Sequence, residues 1–384
     1  MRGRELRNRL HARLNPARAS AVLAAAAFLG VTSFAAPATA GPAPDSRAPH
    51  IALTRCGHGI SAVTITPAPG FDPLTATFAQ LEANGLPPRP RGGTDLAIWK
   101  RFVTSGTRHS AGCNFTIMKG RRSHLPGLRP APGAPGRPAP DIAAPDRAAP
   151  DITTGQVSPI WAGNVADSHT YDDIYGTWHV PAATGPVLQT ASSLSWIGIG
   201  QGASSTYPLI QGGSESDFSL HPAYYLWWEY IWAGGGVSQI RVKTLTGPGD
   251  YIGVHVHVVN GVGQVTISDP AANFNSTYQY SRSTLKPDTS AEWIYERPEQ
   301  KGLGFDVYTV LAKASTTFTL ARASGAAVPL TALGNLPHHW VTMRTCTSPG
   351  PVIALANPAG ISADGLSFTD VWLAGGHEDP VNCH

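Results

Sequence analysis

The chain has 384 residues, enough for one large domain or two smaller ones, each with a core of its own. Charged residues make up only 14% and hydrophobic residues 42%, while glycine and proline number 41 and 34, a composition that favours short strands and turns over long helices. The net charge of +3 does not indicate a nucleic-acid-binding protein, because the arginines lie among prolines with few aromatic residues that could stack on bases.

The first forty residues have the features of a secretory signal. Six arginines and a single acid come before an apolar run at 21–31, and Ala38-Thr39-Ala40 supplies small residues for cleavage. The apolar run is too short for a stable membrane anchor, and no later run reaches about 18 apolar residues. We therefore expect a signal peptide at 1–40 and a secreted protein that does not associate with membranes.

A basic region, residues 41–120, follows the signal. Alternation over Ile60–Pro67 predicts a strand. Apolar spacing over Leu74–Ala83 and Asp95–Val103 predicts two helices, with Thr94 as a candidate N-cap of the second.

Residues 121–152 are rich in proline, alanine and arginine, which is typical of an extended and exposed linker. The predicted organisation is therefore a propeptide-like region, this linker and a C-terminal domain at 153–384.

Charge is divided unevenly along the chain. Residues 1–150 contain 19 Lys and Arg against 7 Asp and Glu, and the remainder is acidic by 9 charges. A basic segment facing an acidic domain is typical of electrostatic docking, as in an inhibitory propeptide that low pH releases. A solvated basic region that merely precedes an acidic surface explains the pattern equally well.

Four cysteines are present, at Cys56, Cys113, Cys346 and Cys383. Export permits disulfides, and four cysteines allow three pairings, of which we predict the two local ones. No CxxC spacing supports the rival hypothesis of a zinc site.

From Val157 onward, short stretches of β-type sequence alternate with turn residues such as Asn260-Gly261. They predict one antiparallel sandwich or barrel. The predicted strands cover 160–165, 170–180, 193–199, 207–212, 224–232, 240–245, 251–259, 263–269, 276–280, 291–296, 304–311, 316–321, 340–346, 352–356 and 368–374.

One of these strands, Ala291–Glu296, places two acids on one side. Glu292, Ile294 and Glu296 share a face if the stretch is extended, and Pro298 ends it because proline cannot donate to a ladder. Unpaired carboxylates are costly to bury, so we expect this face to line a wet groove or to face solvent.

A series of motifs over residues 157–373 resembles that of the glutamic peptidases, the eqolisin family of acid endopeptidases. The motifs include Trp161-Ala-Gly, Gly176-Thr-Trp-His-Val-Pro, Ser195-Trp-Ile-Gly-Ile-Gly, Leu209-Ile-Gln-Gly-Gly, Tyr225-Leu-Trp-Trp-Glu-Tyr and Ser290-Ala-Glu-Trp-Ile-Tyr-Glu-Arg-Pro. One position departs from the pattern, since Gly200 stands where the family usually has an aspartate.

The resemblance implies a lectin-like (concanavalin A-like) antiparallel β-sandwich whose concave face holds a catalytic pair, Gln211 and Glu292. It also implies a secreted acid endopeptidase that acts on proteins and peptides without a metal or other cofactor. A basic propeptide removed on activation is implied as well, and we expect it to be the enzyme's own inhibitor and the enzyme to be a monomer.

The chemistry suits such a pair. A glutamate can take a proton from water and return it to the leaving amine, while a glutamine amide donates to the developing oxyanion at any pH. We interpret Glu229, Trp161, Trp196 and Trp227 as substrate-binding residues. A structural carboxylate and core packing are the competing interpretations.

Other functions remain open. A glycosidase would use Glu229 and Glu292 as paired acids, and a binding module would use the aromatic face for polysaccharide. A weakly active peptidase relative is a further alternative. His255-Val-His257 and His338-His339 suggest a metal enzyme, but strand histidines usually face solvent and no acid is nearby in sequence. No Gly-x-Ser-x-Gly motif indicates a serine hydrolase.

Overall fold

The structure is a computed structural model. It describes the residue ranges 48–105, 110–118, 129–130, 155–185, 190–200, 208–218, 222–232, 235–301, 306–346 and 351–380. The predicted signal peptide, most of the predicted linker and Cys383 lie outside the described residues.

Strands dominate the described residues, as the sequence predicts, and the all-β prediction is confirmed. The strands are β1 (His50–Gly57), β2 (Ile60–Thr66), β3 (Phe115–Ile117), β4 (Arg129–Pro130), β5 (Gln156–Ser158), β6 (Trp161–Ala166), β7 (Asp173–His179), β8 (Ala191–Gly200), β9 (Leu209–Phe218), β10 (Pro222–Trp232), β11 (Gly235–Val242), β12 (Tyr251–Val259), β13 (Val262–Asp269), β14 (Phe274–Ser281), β15 (Ala291–Glu296), β16 (Glu299–Lys301), β17 (Asp306–Tyr308), β18 (Val310–Leu311), β19 (Thr316–Gly325), β20 (Val328–Ala332), β21 (His338–Arg344), β22 (Ala354–Pro358), β23 (Phe368–Trp372) and β24 (Asp379–Pro380). The helices are α1 (Phe78–Ala83), α2 (Gly93–Thr104) and a 3₁₀ turn at Leu333–Asn335.

The strands form a sandwich of two mostly antiparallel sheets. The front sheet runs β3–β11–β10–β9–β8–β15–β6–β21–β5–β4. The back sheet runs β1–β2–β14–β13–β12–β7–β19–β20. Strand β19 passes from the back sheet to pair with β23 beside the front sheet, so the two layers share one strand.

The core lies between the two sheets. Ile210, Trp228 and Trp293 of the front sheet belong to one buried cluster with Val254 and Ile267 of the back sheet. A side chain at Gly212 would meet Val265 and Val254, so position 212 also faces the core. Because side chains alternate along a strand, positions 209, 211 and 213 of β9 face away from the core.

The N-terminal region packs on the back sheet. Hairpin β1–β2 extends that sheet beside β14, and Phe78 of α1 meets Tyr175 of β7 edge-on at 4.7 Å. Cys56 and Cys113 form a disulfide, which confirms one predicted pair. Cys346 is also disulfide-bonded.

Helix α2 begins differently from the sequence prediction. Gly92 is its N-cap residue and Thr94 lies within its first turn, so the predicted N-cap at Thr94 is wrong. A capping box is present instead at the start of α1. The Thr77 hydroxyl accepts a hydrogen bond from the Gln80 backbone N–H, and the Gln80 side-chain oxygen accepts one from the Thr77 backbone N–H. Among the described residues, no helix is both long and apolar enough to cross a bilayer.

Candidate active site

Gln211 and Glu292 occupy one row across the outer face of the front sheet. Gln211 of β9 is directly opposite Gly198 of β8, and Glu292 of β15 is opposite the same glycine on its other side. Directly paired residues point to the same face, so the two side chains flank Gly198 at Cα positions about 10 Å apart. The row continues to Glu229 of β10, which pairs with Gln211.

Gly198 leaves the space between the two candidate catalytic side chains open. A Cβ atom there would lie 2.9 Å from the Ile210 carbonyl oxygen and 3.0 Å from the Gln211 Cβ. Any larger residue would therefore push against Gln211 and occupy the gap towards Glu292. The sequence motif supplies this glycine, but its role became visible only from the strand register.

The Gln211 amide contacts its neighbour Glu229 on β10. Its Nε2 atom donates to Glu229 Oε2 at 3.5 Å, a long contact that leaves the amide free to turn. Its Oε1 atom is buried and makes no hydrogen bond among the described residues. The glutamine is thus buried with unused hydrogen-bonding capacity, which a substrate amide would satisfy.

Ser290, which lies two residues before Glu292, contacts the Glu292 carboxyl group. Its hydroxyl lies 2.9 Å from Glu292 Oε1 and 2.5 Å from the Gly200 carbonyl oxygen. A hydroxyl carries one hydrogen and also accepts. Ser290 can therefore donate to an ionised Glu292, or accept from a protonated Glu292 while it donates to Gly200. Sequence reasoning missed this contact, which depends on the pairing of β15 with β8.

Glu296 shares the face of Glu292 but has a different chemistry. Burial raises the pKa of Glu296 to about 8, a rise that the Trp196 hydrogen bond opposes and the Glu229 charge reinforces. Trp196 Nε1 donates to Glu296 Oε2 at 2.6 Å. Glu296 is therefore neutral in acid, where a general base has to be ionised.

The three candidate substrate-binding tryptophans lie on this same outer face. Trp227 and Trp196 flank Gly213, and Trp161 packs edge-on against Trp196 with ring centroids 5.2 Å apart. All three are fully buried, and the Trp227 Nε1 atom makes no hydrogen bond among the described residues.

The expectation of a wet or solvent-facing strand face is wrong for the full-length chain. Gln211 and Glu292 each have 0% exposed surface and Glu229 has 2%, although all three point away from the core between the sheets. The outer face also carries a buried apolar cluster of its own, which includes Trp161, Trp196 and Tyr308 of β17. The face is closed in this state, so the substrate cannot reach it.

Gly200 is the departure from the motif, and the structure explains why the residue is a glycine. Its φ is +130°, and a Cβ atom would lie 1.9 Å from the Pro208 carbonyl oxygen. No aspartate fits here without a change of backbone. Its backbone instead serves β15, since its carbonyl accepts from the Ser290 hydroxyl.

Glu229 is less suited than Gln211 to partner Glu292. It lies three strands from Glu292, and Gln211 lies between them in the row. Paired glycosidase acids need carboxyl groups about 5 to 10 Å apart, whereas three strand spacings separate these backbones by roughly 14 Å.

Comparison with known proteins assigns the class. The chain is a peptidase, since residues 159–335 match the model of the Peptidase A4 family. The matched residues lie within the predicted C-terminal domain, and the match supports the family that the motifs resemble, the eqolisins, which are glutamic endopeptidases.

Two solved structures of peptidases are similar to this chain. Scytalido-glutamic peptidase bound to a peptide-based transition-state analogue is 18% identical, with 56% of this chain and 98% of that chain covered and a TM-score of 0.45. SCP-B, an eqolisin in complex with the tripeptide Ala-Ile-His, is also 18% identical, with the same coverage and a TM-score of 0.42. A comparison with curated proteins gave no match.

Proposed function

We propose that the chain is a secreted acid endopeptidase in which Glu292 is the general base and Gln211 stabilises the oxyanion. The observation that carries the proposal is the pairing of both residues with Gly198 on one sheet face. A scissile peptide bond lying over Gly198 would have a carboxylate on one side and an amide donor on the other.

Hydrolysis then proceeds by attack of water. Glu292 accepts a proton from a water molecule, whose oxygen forms a bond to the carbonyl carbon. The carbonyl oxygen becomes negative and accepts a hydrogen bond from Gln211 Nε2. Glu292 returns the proton to the amide nitrogen, the carbon–nitrogen bond breaks, and the carboxyl and amine products leave.

Acid conditions suit this assignment. Glutamine does not titrate, and a free glutamate with a pKa of about 4.3 alternates readily between base and acid in mildly acidic solution. Glu296 stays protonated there and does not compete as base. Ser290 supports Glu292 in both protonation states.

The test is digestion of casein by the processed protein across pH. Glu292→Gln and Gln211→Ala should each lower kcat by roughly 100-fold or more, since one base or one oxyanion donor contributes that much. Glu378→Gln, an exposed acid, and Gln279→Ala, a glutamine of the back sheet, are matched controls and should keep full activity. Undiminished digestion by Glu292→Gln or by Gln211→Ala would reject the assignment.

We infer in addition that the N-terminal region inhibits the enzyme through the basic stretch 119–128. Strand β3 pairs with one edge of the front sheet and β4 with the opposite edge. The stretch between them contains Lys119, Arg121 and Arg122 and no acid. The closed face carries Glu229 and Glu292, so the basic stretch and this face are complementary in charge.

Chain length is compatible with this role. An extended chain that joins Ile117 to Arg129 reaches roughly 40 Å, close to the width of the strands between β3 and β4. Full burial of Gln211 and Glu292 in the unprocessed chain supports the same inference.

Charge removal tests the inhibitor. Replacing Lys119, Arg121 and Arg122 with glutamine should speed self-processing on acidification about tenfold, as expected for lost charge pairs. The control replaces Arg55, Lys100 and Arg101, exposed basic residues of the same region. Processing at the wild-type rate would reject the inhibitory role of residues 119–128. The activity of the mature enzyme, measured separately, would still test the roles of Gln211 and Glu292.

Export is part of the proposal. The arginine-rich start, the apolar run and Ala38-Thr39-Ala40 support cleavage near residue 40. N-terminal sequencing of protein recovered from the culture medium should find a chain that begins near residue 41. Protein retained in the cells with Met1 in place would contradict it.

A further inference from the structure

A second cluster of ionisable side chains lies on the back sheet, remote from the Gln211 row. His255 and His257 alternate on β12, so both rings leave the same face, and His257 is directly opposite Asp173 of β7. This is the outer face of the back sheet, because Val254 and Val256 between and beside the histidines point into the core.

The three side chains converge on one point. Asp173 Oδ1 lies 2.6 Å from His255 Nε2 and 3.0 Å from His257 Nδ1. The three potential ligand atoms all lie within 4.8 Å of one another. Two imidazole nitrogens therefore share one carboxylate oxygen.

The neighbours hold this arrangement and leave it accessible. The Tyr175 ring stacks on the His255 ring at 3.9 Å with an interplanar angle of 9°, which fixes the His255 plane. A cavity of about 210 Å³ lies beside the cluster and is lined by Glu82, Tyr175, His255 and His257. An ion or water molecule can therefore approach the ring nitrogens from the N-terminal region's side.

A fourth candidate ligand atom comes from the N-terminal region. Glu82 of α1 places its Oε1 atom 3.7 Å from His255 Nε2. Two histidines with carboxylate oxygens form a donor set suited to Zn²⁺, which bonds to nitrogen and oxygen at about 2.0–2.2 Å in a tetrahedron. Ligand atoms in such a site lie about 3–4 Å apart, close to the spacings of this cluster.

We propose that Asp173, His255 and His257 bind a divalent transition-metal ion of the Zn²⁺ type and that Glu82 completes the coordination. Three ligands belong to the sandwich and one to the N-terminal region. The ion therefore joins the N-terminal region to the back sheet, and its role is structural because it lies on the sheet opposite the catalytic candidates. The proposal does not depend on the Gln211 and Glu292 mechanism.

The experiment is calorimetric titration of Zn²⁺ into untagged, chelator-treated, full-length protein at neutral pH. We expect one site, with binding lost in His257→Ala and weakened roughly 10- to 100-fold in Glu82→Gln. His179→Ala is the matched control, because His179 pairs with Asp95 of α2 and so also links the sandwich to the N-terminal region. It should bind Zn²⁺ as the wild type does.

Asp173→Asn provides a second, nearly isosteric variant in case His257→Ala fails to fold. Co²⁺ gives a further readout, since a tetrahedral site with two histidines produces visible absorption bands in the wild type that both variants should lose. Zn²⁺ should raise the thermal midpoint of the wild type and leave that of Asp173→Asn unchanged. The proposal would be overturned if the wild type had no Zn²⁺ site. It would also be overturned if His257→Ala and Asp173→Asn bound Zn²⁺ as tightly as the wild type does.

Discussion

Ser290 links the carboxyl group of Glu292 to the backbone of β8. Its hydroxyl is close both to the carboxyl of Glu292 and to the Gly200 carbonyl, so it can follow the carboxyl through protonation and deprotonation. Under the proposed mechanism it acts through Glu292 and is a positioning residue.

Ser290→Ala is expected to lower kcat about tenfold and to leave KM nearly unchanged, because the substrate does not touch the hydroxyl. The acidic limb of the kcat profile should also move, which a purely structural loss would not cause. Ser290→Thr, which keeps the hydroxyl, should restore most of the rate. An unchanged pH profile in the alanine variant would show that Ser290 has no part in the proton transfer.

Glu296 makes the fold sensitive to pH. Its pKa in the folded state is about 8, against 4.5 for an ordinary glutamate, so the folded protein holds a proton that the unfolded chain releases between those values. The stability contributed by this proton is fully present below about pH 4.5 and is lost as the pH rises through 8.

We expect thermal unfolding midpoints to fall as the pH rises from 5 to 8, with a loss on the order of 3 kcal/mol. Glu296→Gln cannot ionise and should flatten this dependence, while Glu378→Gln should preserve it. The nearby Arg297 does not compensate, because it pairs with Asp379. A wild-type midpoint that is constant over this range would contradict the assignment.

At the scale of elements, period-two alternation located the strands because each sheet has one face in the core. β12 and β15 have the predicted bounds, and the motif order led to the row of Gln211 and Glu292. The sequence could not reveal that this row is covered, because the cover comes from elements distant in the chain. The sequence named His255 and His257 as a metal-binding alternative but missed their acidic partners for the same reason, since Asp173 and Glu82 reach them from β7 and α1.

Substitution of Gly198 tests whether the row of Gln211 and Glu292 requires a residue without a side chain between them. Gly198→Ala would place a Cβ 2.9 Å from a backbone oxygen and 3.0 Å from Gln211 Cβ, an overpacking that costs about 1–3 kcal/mol. We expect lower stability in urea unfolding and, in the processed enzyme, a larger loss of kcat than of stability. Gly360→Ala meets no atom within 4 Å and should be neutral. A fully active Gly198→Ala protein would contradict this role.

At the scale of the whole molecule, the N-terminal region is part of both sheets. Its hairpin β1–β2 lies beside β14, β3 lies beside β11, and β4 lies beside β5. Together these strands occupy three sheet edges that the C-terminal domain alone would leave open.

The fragment 153–384, produced without the N-terminal region, should therefore aggregate on refolding, because exposed edge strands pair with other chains. Light scattering during refolding, compared with the full-length chain, measures this. Addition of residues 41–152 as a separate polypeptide should suppress the scattering. A fragment that refolds to a clear, monodisperse solution would show that those edges are protected by other means.

The shared hydrogen bonding of β1–β4 with both layers also means that a cut in the linker would not by itself separate the pieces. Nicked protein would remain a noncovalent complex until the ladders of β2 with β14, β3 with β11 and β4 with β5 opened together, so cleavage and the onset of activity should be separate events in time. The lag before activity would then be set by how fast β1–β4 dissociate from the two layers, and not by how fast the linker is cut.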